Sequence, residues 1–307
     1  MIRRLSWIGW GAAGLIALGL VALVVQVPGF LAWRGALERR LVADSRVIPT
    51  ALGEVEFAET GQGAPILMLH GTPGGYDQIL RHVEATGLSR SGVRVIAPSR
   101  PGYLRTPLAS GRSPEAQARL FAALLDRLGV RRAVILGVSG GGPAAAQFAL
   151  QYPDRCAGLV LEEAVTRRIK ADSSPLPPSL VDFLVYLFRD RAIADLQAKA
   201  PGDPNMSRIG AAVIDSLAPM GRRAAGNEND RMQFAKLAEM PLDRIRCPTL
   251  ILHGAEDRDV PLADSVDAHR RISGSRLIVL QGADHSMVAL RYKELNPLIL
   301  EFARQSF

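Results

Sequence analysis

The chain has 307 residues, of which 48 % are apolar and 22 % are charged, with a formal net charge of +7. This balance is typical of a folded globular protein, and it excludes a mainly disordered chain. The length suits one large α/β domain or two smaller ones. The positive charge comes mainly from scattered arginines with no interleaved aromatic pattern, so the composition does not predict nucleic-acid binding.

The first 34 residues differ from the rest of the chain. After Arg3 and Arg4, the segment from Leu5 to Trp33 carries no charge and is long enough to cross a bilayer as a helix. It exceeds the apolar core of about 7 to 15 residues found in secretory signals, and its end lacks a small-x-small cleavage site. The sequence favours an uncleaved anchor over residues 1–34, with the main domain outside the cytoplasm, in the periplasm. A cleaved export signal and a buried helix are the alternatives.

Two cysteines, Cys156 and Cys247, each precede an apolar run that resembles a strand. Their spacing does not suggest a metal site, and no metal is expected. A disulfide is geometrically allowed if the two strands are neighbours, but two small buried thiols are the favoured interpretation.

From about residue 47, short apolar runs alternate with longer helical stretches, which predicts a mostly parallel sheet flanked by helices. One helix begins at Ser113 and Pro114 and ends near Gly129, with apolar positions at helical spacing between them. The strand-like runs are GEVEFAET, APILMLHG, VRVIAPS, AVILGV, CAGLVLEEA, PTLILHG and RLIVLQG. Several are continuously apolar, as strands buried on both faces should be.

Residues 165–241 contain no comparable strand run and predict a helical cap inserted into the sheet domain. The core would then consist of residues 35–164 and 242–307. An insertion at the carboxyl ends of parallel strands lies where ligands bind in open α/β sheets.

One serine stands among glycines in the segment LGVSGGGPAAAQFAL. An apolar run enters Ser139 and an alanine-rich helix leaves it, so the pattern predicts a tight strand-turn-helix with the hydroxyl at its apex. Such a turn needs residues without side chains at Gly137, Gly140 and Gly141. A phosphate loop is disfavoured because no Lys-Ser or Lys-Thr pair follows.

On these residues, and on the HGTPGG and DHSMV motifs in the expected order, the sequence resembles the serine hydrolases of the α/β-hydrolase fold. The resemblance covers residues 47–307 apart from most of the predicted cap. It implies a cap after the sixth strand and a nucleophile elbow with Gly137 and Gly141 around Ser139. A serine at the elbow argues against the dehalogenases and epoxide hydrolases of this superfamily, which use an aspartate.

A serine needs a base to remove its proton and an acid to orient that base. His285, after the last predicted strand, is the expected base. The family pattern assigns the acid to Asp257, with Asp259 as an alternative and Glu162 or Glu163 as further ones. The resemblance also assigns the backbone N–H groups of Thr72 and Gly140 to an oxyanion hole.

Other residues receive weaker predictions. His70 is expected to brace its turn, and Ser99 replaces the aspartate that the family usually carries at the end of its strand. Tyr76, Tyr103 and Phe183 are candidate pocket residues, although packing explains aromatic residues equally well.

The sequence predicts a serine hydrolase of hydrophobic small-molecule carboxylic esters that needs no cofactor. Hydrolysis of carbon-carbon bonds, amides or lactones and cofactor-free perhydrolysis stay open on the same fold, as does a silent membrane-tethered binding module.

Overall fold

A computed structural model describes residues 2–170 and 176–307, and for residues 2–20 it describes only the helical backbone. Within these residues, eight strands form one sheet in the order β1-β2-β4-β3-β5-β6-β7-β8. The strands are β1 (Arg46–Thr50), β2 (Gly53–Gly61), β3 (Ala64–Leu69), β4 (Val93–Pro98), β5 (Ala133–Val138), β6 (Cys156–Glu162), β7 (Thr249–Gly254) and β8 (Arg276–Leu280).

The pairing of the strands confirms the mostly parallel sheet. The first two strands form an antiparallel hairpin, β2 is antiparallel to β4, and all the other neighbours are parallel. Strand β1 was missed in the sequence because it is short, mostly exposed and contains Pro49, so it lacks the apolar pattern of a buried strand.

Helices cover both faces of the sheet. The predicted helix at Ser113 forms, with the serine Oγ accepting the N–H of Ala116 at 3.3 Å and Pro114 in the first turn. The helices are α1 (Ile2–Ala43), α2 (Tyr76–Thr86), α3 (Pro114–Arg127), α4 (Gly142–Gln151), α5 (Pro178–Lys199), α6 (Met206–Asp215), α7 (Ala224–Ala235), α8 (Leu262–Arg271), α9 (Met287–Leu290) and α10 (Tyr292–Gln305).

Two apolar clusters lie on opposite faces of the sheet. Helices α3, α4 and α8 contribute buried residues to one cluster, whereas α2, α10 and the end of α1 contribute to the other. Helices α5, α6 and α7 lie between β6 and β7 in the chain, next to the carboxyl ends of the parallel strands. This arrangement places the cap helices over the edge where the loops after β3, β5, β6 and β7 meet.

Helix α1 contains the one segment of the described chain that is long and apolar enough to cross a membrane. This segment, Val21–Ala43, has a mean hydropathy of 1.2 and lies largely outside the core, with 11 % of its most apolar stretch buried. A signal sequence has the same length and composition. Arg3 and Arg4, on which the predicted orientation depends, lie outside the residues whose side chains are described.

The two cysteines are free buried thiols, as the sequence favoured. Strands β6 and β7 are neighbours, and the Sγ atoms of Cys156 and Cys247 lie 3.4 Å apart.

Candidate active site

Strand β5 ends at Val138, and the next residue, Ser139, has a left-handed backbone with φ of +48° before the chain enters α4. This conformation is strained for a residue with a side chain, and the neighbouring glycines allow it. A Cβ atom on Gly137 would lie 2.7 Å from the Cβ of Ala145, and one on Gly141 would collide with the carbonyl oxygen of Leu69. The glycines are therefore required because the turn packs directly against α4 and β3.

The structure brings Ser139, His285 and Asp257 into one hydrogen-bonded chain. Nε2 of His285 lies 3.0 Å from the Ser139 Oγ, and its Nδ1 lies 2.7 Å from Oδ2 of Asp257. With the ring proton on Nδ1, the imidazole donates to the carboxylate and accepts from the serine hydroxyl. The imidazole is thereby placed to take a proton from the serine.

Asp257 is held as a carboxylate. Burial raises its pKa, but the hydrogen bond from His285 and those from the backbone N–H groups of Val260 and Asp259 outweigh this effect, so the pKa lies below its usual value. Asp259, the first alternative acid, contributes its backbone N–H to Asp257 at 2.8 Å.

A second carboxyl group lies beside the imidazole. Oε2 of Glu163 is 3.8 Å from Nδ1 of His285, and neither carboxyl oxygen of Glu163 has a hydrogen-bond partner among the described residues. Burial, followed by the nearby charges of Glu162 and Asp257, raises the pKa of Glu163 to about 10. It is therefore a neutral acid at pH 7.

The loop after β3 contacts the nucleophile turn from the other side. A Cβ atom on Gly140 would collide with the side chain of Thr72, so the Thr72 side chain lies directly against Gly140. Thr72 and Ser139 line the same cavity. This closeness is what two oxyanion donors require.

The cap stabilises this loop through a buried ion pair that sequence reasoning missed. Asp230 on α7 accepts hydrogen bonds from the hydroxyl of Thr72 at 2.6 Å and from Arg100 at 2.5 and 2.8 Å. The Arg100 guanidinium also donates to the carbonyls of His70 and Gly71. No local pattern predicts this contact, because Arg100 and Asp230 are 130 residues apart in the chain.

His70 braces its turn, as expected. Its Nδ1 donates to the carbonyl of Gly71 at 2.8 Å, and its Nε2 accepts the N–H of Arg100 at 2.9 Å. Burial and the Arg100 charge hold its pKa well below the usual value, so the ring is neutral.

The position of Ser99 keeps a carboxylate nearby in spite of the missing aspartate. Its hydroxyl donates to the buried Glu56, which also pairs with Arg105 at 2.7 Å. The carboxylate beside Ser99 is therefore supplied by Glu56 on β2.

A cavity of about 260 Å³ opens beside Ser139 and His285. It runs between α2 and α10, with the cap helices α5 and α6 on one side, and most of its lining is apolar. The apolar lining includes Met68, Ile79, Leu196, Val213, Val288 and Ile299.

The three aromatic pocket candidates do not line this cavity, which corrects the sequence-based prediction. Tyr76 and Tyr103 are completely buried, and their hydroxyls donate to the carbonyl of Leu41 and to Asp230. Phe183 instead packs edge to face on Phe30 of α1, with their ring centroids 5.2 Å apart. Each ring packs between secondary-structure elements and does not contact the substrate cavity.

A model of the α/β hydrolase fold family matches residues 64–291, and the chain belongs to that family. It is similar to a hydrolase of 2-hydroxy-6-oxononadienedioate and 2-hydroxy-6-oxononatrienedioate from Burkholderia vietnamiensis, with 27 % identity over 82 % of this chain and 91 % of that protein. A non-heme chloroperoxidase from Streptomyces lividans is 32 % identical over 79 % of this chain and 92 % of its own.

Among solved structures, an α/β hydrolase fold protein from Nakamurella multipartita is 32 % identical, with a TM-score of 0.75. The match covers 85 % of this chain and 99 % of that one. The specific reaction differs among these relatives, so it has to be argued from the site itself.

Proposed function

We propose that the protein is a serine hydrolase that cleaves carboxylic esters through an acyl-enzyme. The observation that carries this proposal is the hydrogen-bonded chain from Ser139 through His285 to Asp257 in the wall of an apolar cavity. A serine hydroxyl bonded to an imidazole, itself oriented by a carboxylate, is the arrangement that activates serine as a nucleophile.

In this mechanism Ser139 attacks the ester carbonyl while His285 takes its proton. The N–H groups of Thr72 and Gly140 stabilise the oxyanion, and Asp257 stabilises the imidazolium as it forms. His285 then protonates the departing alcohol, and in the second half of the reaction it activates the water that releases the acid.

The charged groups around the cavity favour a neutral ester over a dicarboxylate, which is the substrate class of one relative. The Burkholderia hydrolase acts on a dicarboxylate, according to its name. Among the described residues that line the cavity here, Glu162 and Glu163 are the acidic groups, and no lysine or arginine joins them. A dicarboxylate would enter such a cavity without a cation to balance it, at a large desolvation cost.

The N-terminal helix supports a proposed membrane attachment. Val24, Val25 and Leu31 on α1 are 60 to 68 % exposed, and Phe188 on α5 is 61 % exposed. Apolar side chains exposed to this extent on a 23-residue segment are favourable in lipid and costly in water. We propose that the hydrolase domain lies at a membrane surface, on the extracytoplasmic side that the sequence favours.

The test of the nucleophile is covalent labelling. A fluorophosphonate probe should modify the wild-type protein and spare Ser139→Ala. Ser216→Ala is the matched control, because Ser216 lines the same cavity but donates its hydrogen bond to the carbonyl of Val213. Absence of labelling on the folded wild-type protein would overturn the serine hydrolase assignment.

The test of the substrate class is a series of p-nitrophenyl esters from acetate to palmitate. We expect hydrolysis that depends on Ser139, with a preference for acyl chains that fill the cavity. No hydrolysis across the series by a protein that the probe does label would reject the ester assignment and leave the nucleophile in place.

A further inference from the structure

Three polar side chains outside the hydrogen-bonded chain line the cavity from β6, α2 and α10. Glu162 is the last residue of β6 and pairs in the sheet with Val138, next to the nucleophile. Side chains alternate along a strand, so Glu162 lies on the same face as Val160, which packs in the apolar cluster with α2 and α10. His82 on α2 and Asn296 on α10 line the same cavity.

Apart from Glu163, whose carboxyl faces His285, the remaining polar side chains in the cavity wall are already bonded within the protein. Gln78 accepts the N–H of Gly71 at 2.9 Å and donates to the carbonyl of Pro73. Ser216 donates to a backbone carbonyl at 2.7 Å, and Ser286 donates to Asp284. These groups have little remaining hydrogen-bonding capacity to offer a ligand.

The side chains of Glu162, His82 and Asn296 keep their hydrogen-bonding capacity free. None of the three has a hydrogen bond to another described residue, and all three line the cavity; Glu162 is 2 % exposed, whereas His82 and Asn296 are half-buried. Polar groups that face a largely apolar cavity without partners cost free energy, and proteins usually satisfy them with water or a ligand.

Their charge states define the chemistry of a partner. Burial lowers the pKa of His82 to about 4, so its ring is neutral and offers one acceptor and one donor. Burial raises the pKa of Glu162 to about 7, so it is neither a strong anion nor permanently neutral. Asn296 adds a carbonyl oxygen and an amide donor.

We propose that Glu162, His82 and Asn296 form a subsite that binds a hydroxyl group of the substrate, so that the preferred esters are hydroxy esters. A hydroxyl both donates and accepts, and it therefore satisfies this mixed set without bringing a charge into the cavity. A carboxylate would face two glutamates, and an ammonium would have to be desolvated in a largely apolar wall.

This inference rests on the proposed function for the identity of the ester, but its test is a binding measurement that does not need turnover. Ser139→Ala protein is titrated calorimetrically with ethyl hexanoate, with its 3-hydroxy and 6-hydroxy derivatives, and with 2-hydroxyethyl hexanoate. The derivatives distinguish a hydroxyl on the acyl side from one on the alcohol side. We expect one hydroxy ester to bind about tenfold more tightly than ethyl hexanoate, as one buried hydrogen bond allows.

The variants are made in the Ser139→Ala background. Glu162→Leu should abolish the tenfold preference, whereas Glu162→Gln, which keeps hydrogen-bonding groups, should retain most of it. Glu301→Leu is the matched control, because Glu301 is an exposed residue of α10, and its binding should equal that of Ser139→Ala alone.

Equal affinity for all four esters in Ser139→Ala would overturn the subsite, and so would an unchanged preference in Glu162→Leu. Failure of the proposed function has a separate readout, which is the absence of acid release from the same esters by the wild-type protein. A preference in binding without hydrolysis would support the subsite and reject the esterase.

Discussion

The carboxyl group of Glu163 lies 3.8 Å from Nδ1 of His285, the same nitrogen that donates to Asp257 at 2.7 Å. Two acids from the ends of two neighbouring strands, β6 and β7, therefore face one imidazole. Glu163 has a left-handed φ of +49°, a strained conformation for a side chain of this size, and its carboxyl has no hydrogen-bond partner among the described residues.

We expect Glu163 to replace Asp257 in part when that aspartate is neutralised. Burial and the Glu162 charge raise the pKa of Glu163 most, and the Asp257 charge adds to them, so Asp257→Asn lowers this pKa in part and lets Glu163 accept a hydrogen bond from Nδ1 of His285. The single variant should lose about 10²-fold in kcat, and the double variant with Glu163→Gln about 10⁴-fold.

The measurement is a double-mutant cycle on kcat, with Glu163→Gln alone as the control. That control should remain close to wild type, because Asp257 holds the imidazole in the native enzyme. Equal kcat values for Asp257→Asn and the double variant would show that Glu163 cannot substitute.

Stability should fall as the pH rises, in part because of Glu163. Its pKa is about 10 in the folded protein against 4.5 for the free side chain, so the unfolded chain releases a proton that the folded chain keeps. The contribution of Glu163 to the free energy of unfolding is complete below about pH 4.5. It is lost as the pH rises towards 10, at up to about 1.4 kcal/mol per pH unit.

Glu163→Gln removes the group that keeps its proton only in the folded state. The free energy of unfolding of this variant should therefore fall less steeply as the pH rises. Chemical denaturation of both proteins in the same mild detergent at pH 5, 7 and 9 measures the free energy of unfolding. Parallel pH profiles for the two proteins would contradict the raised pKa.

The contact between Asp230 and Thr72 predicts that the cap positions the oxyanion loop. Thr72→Val keeps the backbone N–H but removes the hydroxyl that donates to Asp230 at 2.6 Å. We expect kcat on p-nitrophenyl esters to fall about tenfold with little change in KM, because the loop would act mainly on the transition state. A rise in KM at constant kcat would indicate a role in substrate binding instead.

Asp230→Asn should mainly destabilise the fold. It weakens the ion pair of the buried Arg100, and breaking such a pair costs about 3 to 5 kcal/mol. Asp195→Asn is the matched control, since Asp195 pairs with Arg191 at an exposed position of α5. A melting temperature equal to that of the control would contradict the importance of this ion pair.

The two thiols should be inaccessible in the native protein. Cys156 and Cys247 are both buried, so Ellman's reagent should titrate no thiol in native buffer and two thiols after denaturation without a reductant. No thiol under either condition would reveal a disulfide in the isolated protein.

The local features of this protein follow from its amino-acid sequence. The seven strand-like runs correspond to β2–β8, and several of them are continuously apolar because burial on both faces demands it. The glycines around Ser139 define the turn because no side chain fits there, and the chain order of Ser139, Asp257 and His285 follows a known pattern. The sequence pattern does not predict strand β1, because a short exposed edge strand needs no apolar run.

The contacts between distant side chains depend on the packing of the whole chain. No sequence pattern near Arg100 or Asp230 predicts their ion pair. The sequence likewise suggests that Tyr103 lines the pocket, whereas its hydroxyl donates a hydrogen bond to the same Asp230. The position of Glu163 beside His285 likewise depends on how β6, β7 and the final loops pack together. Sequence periodicity reports which face of an element is buried, whereas the partner on that face depends on the packing of the whole chain.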